Sequence, residues 1–191
     1  MTTMIRLATP DDAEQVLAVY APSCATPTSF EAGPPTLDDM RDRIQRVLLQ
    51  FPWLVCADNR DIMGYVYASG HRERAAYRWS VDTTVYIQRK RHRQGLGRAL
   101  YEALFSILRL QGYINAYAGI TLPNPASVRI HEALGFEPVG IYRHVGYKCG
   151  AWHDVGWYQK LLQPLPPVPE EPKSVLDVYD PRLVESIPIR S

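Results

Sequence analysis

The chain has 191 residues, 46% hydrophobic and 21% charged, which suits one domain with its own core plus an extension. A formal net charge of +1 argues against a chain that binds nucleic acid through its overall charge, and no apolar run approaches the roughly 18–20 residues that a membrane span requires. Cys24, Cys56 and Cys149 are too few and too scattered for a disulfide framework or a zinc site; with no signal-peptide pattern in the first 12 residues, a cytoplasmic protein with reduced thiols and no metal is expected.

Residues 4–8 alternate apolar and polar side chains and predict a first strand. Thr9 as N-cap and Pro10 at the first helical position open a helix carrying Ala13, Val16, Leu17 and Tyr20. Residues 22–35 read as a polar, proline-bearing loop with one large aromatic, Phe30. Thr36 with Asp39 starts a second helix, its apolar face formed by Leu37, Met40, Ile44, Val47 and Leu48. Strands over 53–57 and 62–69 are joined by the turn Asp58-Asn59-Arg60-Asp61, and a charged loop over 70–76 leads to a long strand over 77–87. A basic run over 88–94 runs into Gly95-Leu96-Gly97, the start of a helix that bears Leu100, Leu104, Ile107 and Leu108 and stops at Gly112. A strand over 114–122, a short helix through Leu134 closed by Gly135, and strands over 137–147 and 154–161 follow. From Pro164 the prolines crowd together, so the domain spans 1–163 and 164–191 is a Pro-rich C-terminal extension without its own core. The order β-α-α-β-β-β-α-β-α-β-β predicts an α/β (α+β) fold, a mixed sheet with helices on both faces.

The densest chemistry is the strand-to-helix passage from Val85 to Arg98, with Arg89, Lys90, Arg91 and Arg93 before the two glycines. A helix N-terminus offers unpaired amides and partial positive charge, and glycine lets an anion come close. No Lys-Ser/Thr follows, so this is no Walker A loop, and the G-x-G-x-x-G spacing is missing. Phosphate binding, a solvated cationic turn and nucleic-acid contact all stay open on the spacing alone.

The segment His92-Arg93-Gln94-Gly95-Leu96-Gly97 resembles the acetyl-CoA motif Q/R-x-x-G-x-G/A of the GNAT superfamily, with His92 at the Gln/Arg position. Closer likeness, over about residues 4–163, is to the phosphinothricin acetyltransferase subgroup: Leu122-Pro-Asn-Pro-Ala-Ser-Val-Arg-Ile-His-Glu-Ala-Leu-Gly-Phe136, Gly146-Tyr-Lys-Cys-Gly-Ala-Trp-His-Asp-Val-Gly156, and the order Trp79, Asp82, Thr83-Thr-Val-Tyr86. The resemblance implies a twisted sheet whose two central parallel strands splay apart to admit acetyl-CoA. It implies pantetheine along Val85, Tyr86 and Ile87, the pyrophosphate on the amides of Arg93, Gln94, Gly95, Leu96, Gly97 and Arg98, and Asn124 and Ser127 facing the pantetheine arm.

By the same resemblance Asp82 stands where the family has glutamate, and it is the candidate to relieve an ammonium acceptor of its proton, directly or through water. His131 stands where the subgroup has histidine and would protonate the departing thiolate or hold the amine. A backbone amide near Val85 would polarise the thioester oxygen. Arg72, Arg74 and Tyr77 match positions lining the acceptor pocket, Phe30 a loop aromatic covering it, and His153 and Asp154 read as structural. The implied function is N-acetyl transfer from acetyl-CoA to a small amino-acid-like amine such as phosphinothricin, methionine sulfone or methionine sulfoximine. The implied partners are that acceptor and a second copy of the chain, with no nucleic acid or membrane. The alternatives are a non-catalytic module that senses acetyl-CoA or binds RNA and, with no G-x-S-x-G elbow, a far weaker hydrolase reading.

Overall fold

The computed structural model describes residues 3–59, 61–185 and 187. One sheet of seven strands runs in the order β1-β2-β3-β4-β5-β7-β6. The strands are β1 (Thr3–Leu7), β2 (Trp53–Asp58), β3 (Asp61–Gly70), β4 (Ser80–Ile87), β5 (Asn115–Leu122), β6 (Glu137–Lys148) and β7 (Ala151–Leu161). Helices α1 (Ala13–Cys24) and α2 (Leu37–Leu48) pack on one face; α3 (Leu96–Gln111), carrying α4 (Pro125–Ala133), packs on the other. Alternation along β2 divides the core. Leu54 and Cys56 join α3, whereas Trp53 and Val55 join α1 and α2, because neighbouring strand residues point to opposite faces.

The helix ends follow local chemistry. Asp12 accepts from the Thr9 amide at 2.7 Å, Thr36 and Asp39 cap each other reciprocally, and Gly95 and Gly112 bracket α3 at φ 75 and 93°. Three boundaries differ most from the pattern, one of them the start of β7, at Ala151 rather than 154. Helix α1 continues through Pro22 to Cys24, with Val19, Tyr20 and Cys24 buried against the α2 side. Strand β4 begins only at Ser80, because residues Ala75–Tyr77 tighten into a 3-10 turn after Arg74.

All strand pairs are antiparallel except β4 and β5, which run parallel. Those two pair only from Ser80–Asn115 to Asp82–Tyr117; beyond that rung they diverge, β4 continuing to Ile87 and β5 to Leu122. The segment after Leu161 returns across the α3 side. Val175 and Val184 sit in the main core, Lys173 donates to the Gln111 carbonyl, and Trp79 donates to the Glu170 carbonyl. Among the described residues no helix is long and apolar enough to cross a membrane, and no cluster of potential metal ligands gathers.

Candidate active site

Where β4 and β5 part, a cleft of about 1140 Å³ opens between β4, the turn after it, α3, α4 and the end of α1. Val85, Tyr86, Ile87, Arg93, Gly95, Leu96, Gly97, Arg98, Asn124 and Ser127 all line it. Gln94 does not; its amide nitrogen turns back toward the Lys90 carbonyl. Among the described residues, no protein acceptor takes the amides of Arg93 through Arg98, and the first helical bond of α3 is Ala99 to Gly95. The cleft carries Arg89, Lys90, Arg91, Arg93, Arg98 and Arg129 and no acidic side chain, and the buried Nε of Arg91 has no partner among the described residues. Free amides, the positive end of a helix and surplus cations together fit the diphosphate of acetyl-CoA, and the unpaired stretch of β4 fits its amide-bearing arm.

His92 donates its Nε2 proton to the Ile87 carbonyl at 3.0 Å and so ties the turn to the end of β4. Gly97 has a second duty. A Cβ there would lie 2.7 Å from Ile130 Cδ1, so the glycine sets how closely α3 and α4 approach. Asn124 accepts from the Ser127 amide at 3.2 Å and caps α4 at the cleft wall.

Nearer the start of β4, Asp82 meets a side chain that sequence reasoning missed. His71 Nδ1 lies 2.6 Å from Asp82 Oδ1. Burial pushes the Asp82 carboxyl above its ordinary range, while the His71 bond and the nearby Arg72 charge pull it back only in part. His71, Arg72, Arg74 and Tyr77 line a second cavity of about 630 Å³. Arg72 lies over the Trp157 ring at 5.6 Å, and the buried indole Nε1 of Trp157 has no partner among the described residues. Arg72, Arg74 and Tyr77 are thus gathered as expected, but Phe30 is not on that cavity's wall. Its ring packs on Gly146, where a Cβ would meet ring carbons within 2.8 Å, and its loop is clamped by Lys148 Nζ donating to the carbonyls of Cys24, Ser29 and Glu31. His153 hydrogen-bonds to the Lys148 carbonyl and Asp154 accepts from the His144 amide, so both brace the β6/β7 hairpin.

His131 requires a correction. It is 3% exposed and does not line the cleft. Its Nδ1 donates to the Ser127 carbonyl at 2.7 Å, so its Nε2 accepts from the Tyr101 hydroxyl at 2.8 Å. Burial pushes its pKa down, and the bond to the Ser127 carbonyl offsets this only in part. With both nitrogens engaged inside the protein, the imidazole joins α4 to α3 and has no proton to hand directly to a departing thiolate.

A signal for His71 did exist in the sequence. The β3/β4 ladder pairs Ser69 with Asp82 and Gly70 with Val81, so a residue just past Gly70 falls diagonal to Asp82 on one face. Reading it required the register, which strand patterns leave open.

Known proteins resemble this chain in sequence and in fold. The model of the acetyltransferase (GNAT) domain matches residues 5–157. A phosphinothricin N-acetyltransferase of Streptomyces viridochromogenes is 39% identical over 88% of this chain and 93% of its own. An L-methionine sulfoximine/L-methionine sulfone acetyltransferase of Pseudomonas aeruginosa is 31% identical over 86% of this chain and 97% of its own. The crystal structure of a phosphinothricin acetyltransferase from Sinorhizobium meliloti in complex with acetyl-CoA superposes with a TM-score of 0.80 at 30% identity, covering 84% of this chain and 89% of that one.

Proposed function

Because the chain belongs to the acetyltransferase (GNAT) family, we propose that it transfers an acetyl group from acetyl-CoA to the amino group of phosphinothricin, methionine sulfone, methionine sulfoximine or a similar amino acid. The observation that carries this reading is the fork at the Asp82–Tyr117 rung. On one side of it lies an amide-rich cationic cradle; on the other lie a carboxylate–imidazole pair and two arginines.

When bound, acetyl-CoA supplies a thioester whose carbonyl carbon accepts the amine. The residues of the chain do the rest. The amides of Arg93–Arg98 and the neighbouring guanidinium groups hold the diphosphate. The edge of β4 that β5 leaves unpaired, with Asn124 and Ser127 across the cleft, aligns the arm, and the Val85 amide polarises the thioester oxygen. Arg72 and Arg74 attract the acceptor's carboxylate and so orient its amine. An amino acid at neutral pH carries an ammonium, and the Asp82–His71 pair is where that proton leaves. His131 acts by holding α4, and with it the cleft wall, against α3.

A homodimer is part of the proposal. β6 is the sheet edge and exposes Val139, Ile141, Tyr142, Val145 and Tyr147, a run of apolar surface that a second copy would cover. A cytoplasmic location follows from the need for acetyl-CoA. The deciding experiment is thiol release from acetyl-CoA against phosphinothricin, methionine sulfone, methionine sulfoximine and the common amino acids. Rapid release with one of these and acetylated product by mass spectrometry are expected; acetyl-CoA binding without release would leave a sensor instead. Light scattering on the same sample reads the dimer.

A further inference from the structure

The surroundings of His71 hold its imidazole in one plane and leave one nitrogen without a protein partner among the described residues. The His71 amide donates to the Ser80 carbonyl at 3.3 Å, extending the β3/β4 ladder by one rung, so the side chain lies on the face that Asp82 occupies. The ring stacks on Tyr117 at 4.2 Å and 16°, with Trp157 edge-on at 5.9 Å and Tyr77 at 6.2 Å. A carboxylate can only accept, so Nδ1 carries the hydrogen in the bond to Asp82, and Nε2 of the neutral ring keeps its lone pair. No protein group among the described residues takes Nε2. The ring lines the cavity that also holds Arg72, Arg74 and Tyr77, and it lies on Tyr117, the β5 residue of the last rung before the strands part.

We infer that His71 is the catalytic base, and that Asp82 is a positioning residue that fixes its tautomer and balances its charge. This rests on the acetyltransferase reading above. Aspartate is one methylene shorter than the glutamate expected by resemblance at this position, and the imidazole restores the missing reach. The ammonium of the acceptor gives one proton to His71 Nε2. The freed lone pair forms the N–C bond to the acetyl carbon, and the C–S bond breaks with its electron pair left on sulfur. The second proton lost by nitrogen ends on that sulfur, and Nε2 returns its own proton to water through the open cavity. The net products are amide, thiol and one proton. The titratable and charged groups around the ring are Asp82 from β4, the Arg72 guanidinium next in sequence, and the phenols of Tyr77 and Tyr117; Trp157 from β7 adds no charge.

The test is kcat/KM against pH for the full-length wild type, His71→Ala and His71→Gln, with the best acceptor from the thiol-release panel. Glutamine can still donate to Asp82 but has no basic nitrogen, so it guards against loss of fold in the alanine variant. At neutral pH both variants are expected to fall about 100-fold. The deficit should shrink as the pH approaches the acceptor amine's own pKa, because a free amine needs no base. Added imidazole should restore part of the rate of His71→Ala, and acetyl-CoA affinity should stay unchanged. A deficit equal at every pH and indifferent to imidazole would make His71 merely structural and overturn the inference, as would full activity. A wild type that turns over no amine would instead remove the transferase reading itself, and this base with it.

Discussion

Asp82 and Thr83 are neighbours on β4, yet they lead to two opposite settings for a histidine. Asp82 meets His71, whose Nε2 has no protein partner among the described residues and whose ring lines a cavity. Thr83 turns to the other face, where Tyr101 meets His131, an imidazole with both nitrogens engaged and almost no exposure. A histidine poised to exchange protons needs an orienting partner on one nitrogen and open access on the other; one with two internal partners is part of the frame. The residue type is the same, and the number of committed nitrogens separates the roles.

Substitutions can break that contrast. His131→Ala should be the most damaging to the fold, costing about 3 kcal/mol in denaturant unfolding, since it opens a cavity and removes one hydrogen-bond partner of the Tyr101 hydroxyl. An unchanged unfolding midpoint would take His131 out of the frame. Asp82→Asn should do the reverse, lowering kcat/KM by roughly 30-fold, or about 2 kcal/mol, while shifting stability by less than about 1 kcal/mol. The sign on stability follows from the raised carboxyl. Ionised Asp82 is disfavoured in the fold, so its folded-state contribution worsens as the pH rises from its unfolded value through its folded one, and the asparagine variant escapes that loss.

Arg74→Ala should raise KM about tenfold for acceptors bearing a carboxylate, equivalent to ~1.4 kcal/mol, and leave simple amines unaffected. An equal rise for both would put the arginine outside the acceptor pocket. The smallest effect belongs to a carboxylate of opposite character. Burial pushes Asp12 up, but its bonds to Arg6 at 2.7 Å and to the Thr9 amide outweigh this and hold it below the ordinary range. Its stabilisation is therefore complete above the unfolded value and is lost as the pH falls through the lower folded one. Arg6→Ala should cost about 1 kcal/mol at neutral pH, a modest figure because Arg6 is partly exposed, and should erase that acid limb in pH-dependent unfolding.

Much of this was legible in residue order. The cradle was, because Gly95 and the basic turn before it act through local backbone geometry, and Gly95 does adopt the left-handed conformation there. Thr9, Thr36 and Gly112 marked helix ends for the same reason. The acceptor side was legible only in part. Asp82, Arg72, Arg74 and Tyr77 were named by resemblance, whereas His71, Tyr117 and Trp157, from three separate stretches of chain, were not. Gly97 was read as an anion contact, but its packing against Ile130 depends on how α3 and α4 approach.

By itself, then, the sequence determined most of the elements, their caps and the glycine turn that opens α3, because each depends on residues within a few positions of one another; the class of chemistry came from resemblance across the whole domain. Only the tertiary structure decided where β4 and β5 separate, which imidazole faces a cavity and which is sealed between helices. Those outcomes depend on strand register and helix packing between distant segments, where a shift of one residue would turn Asp82 and His71 to the other face.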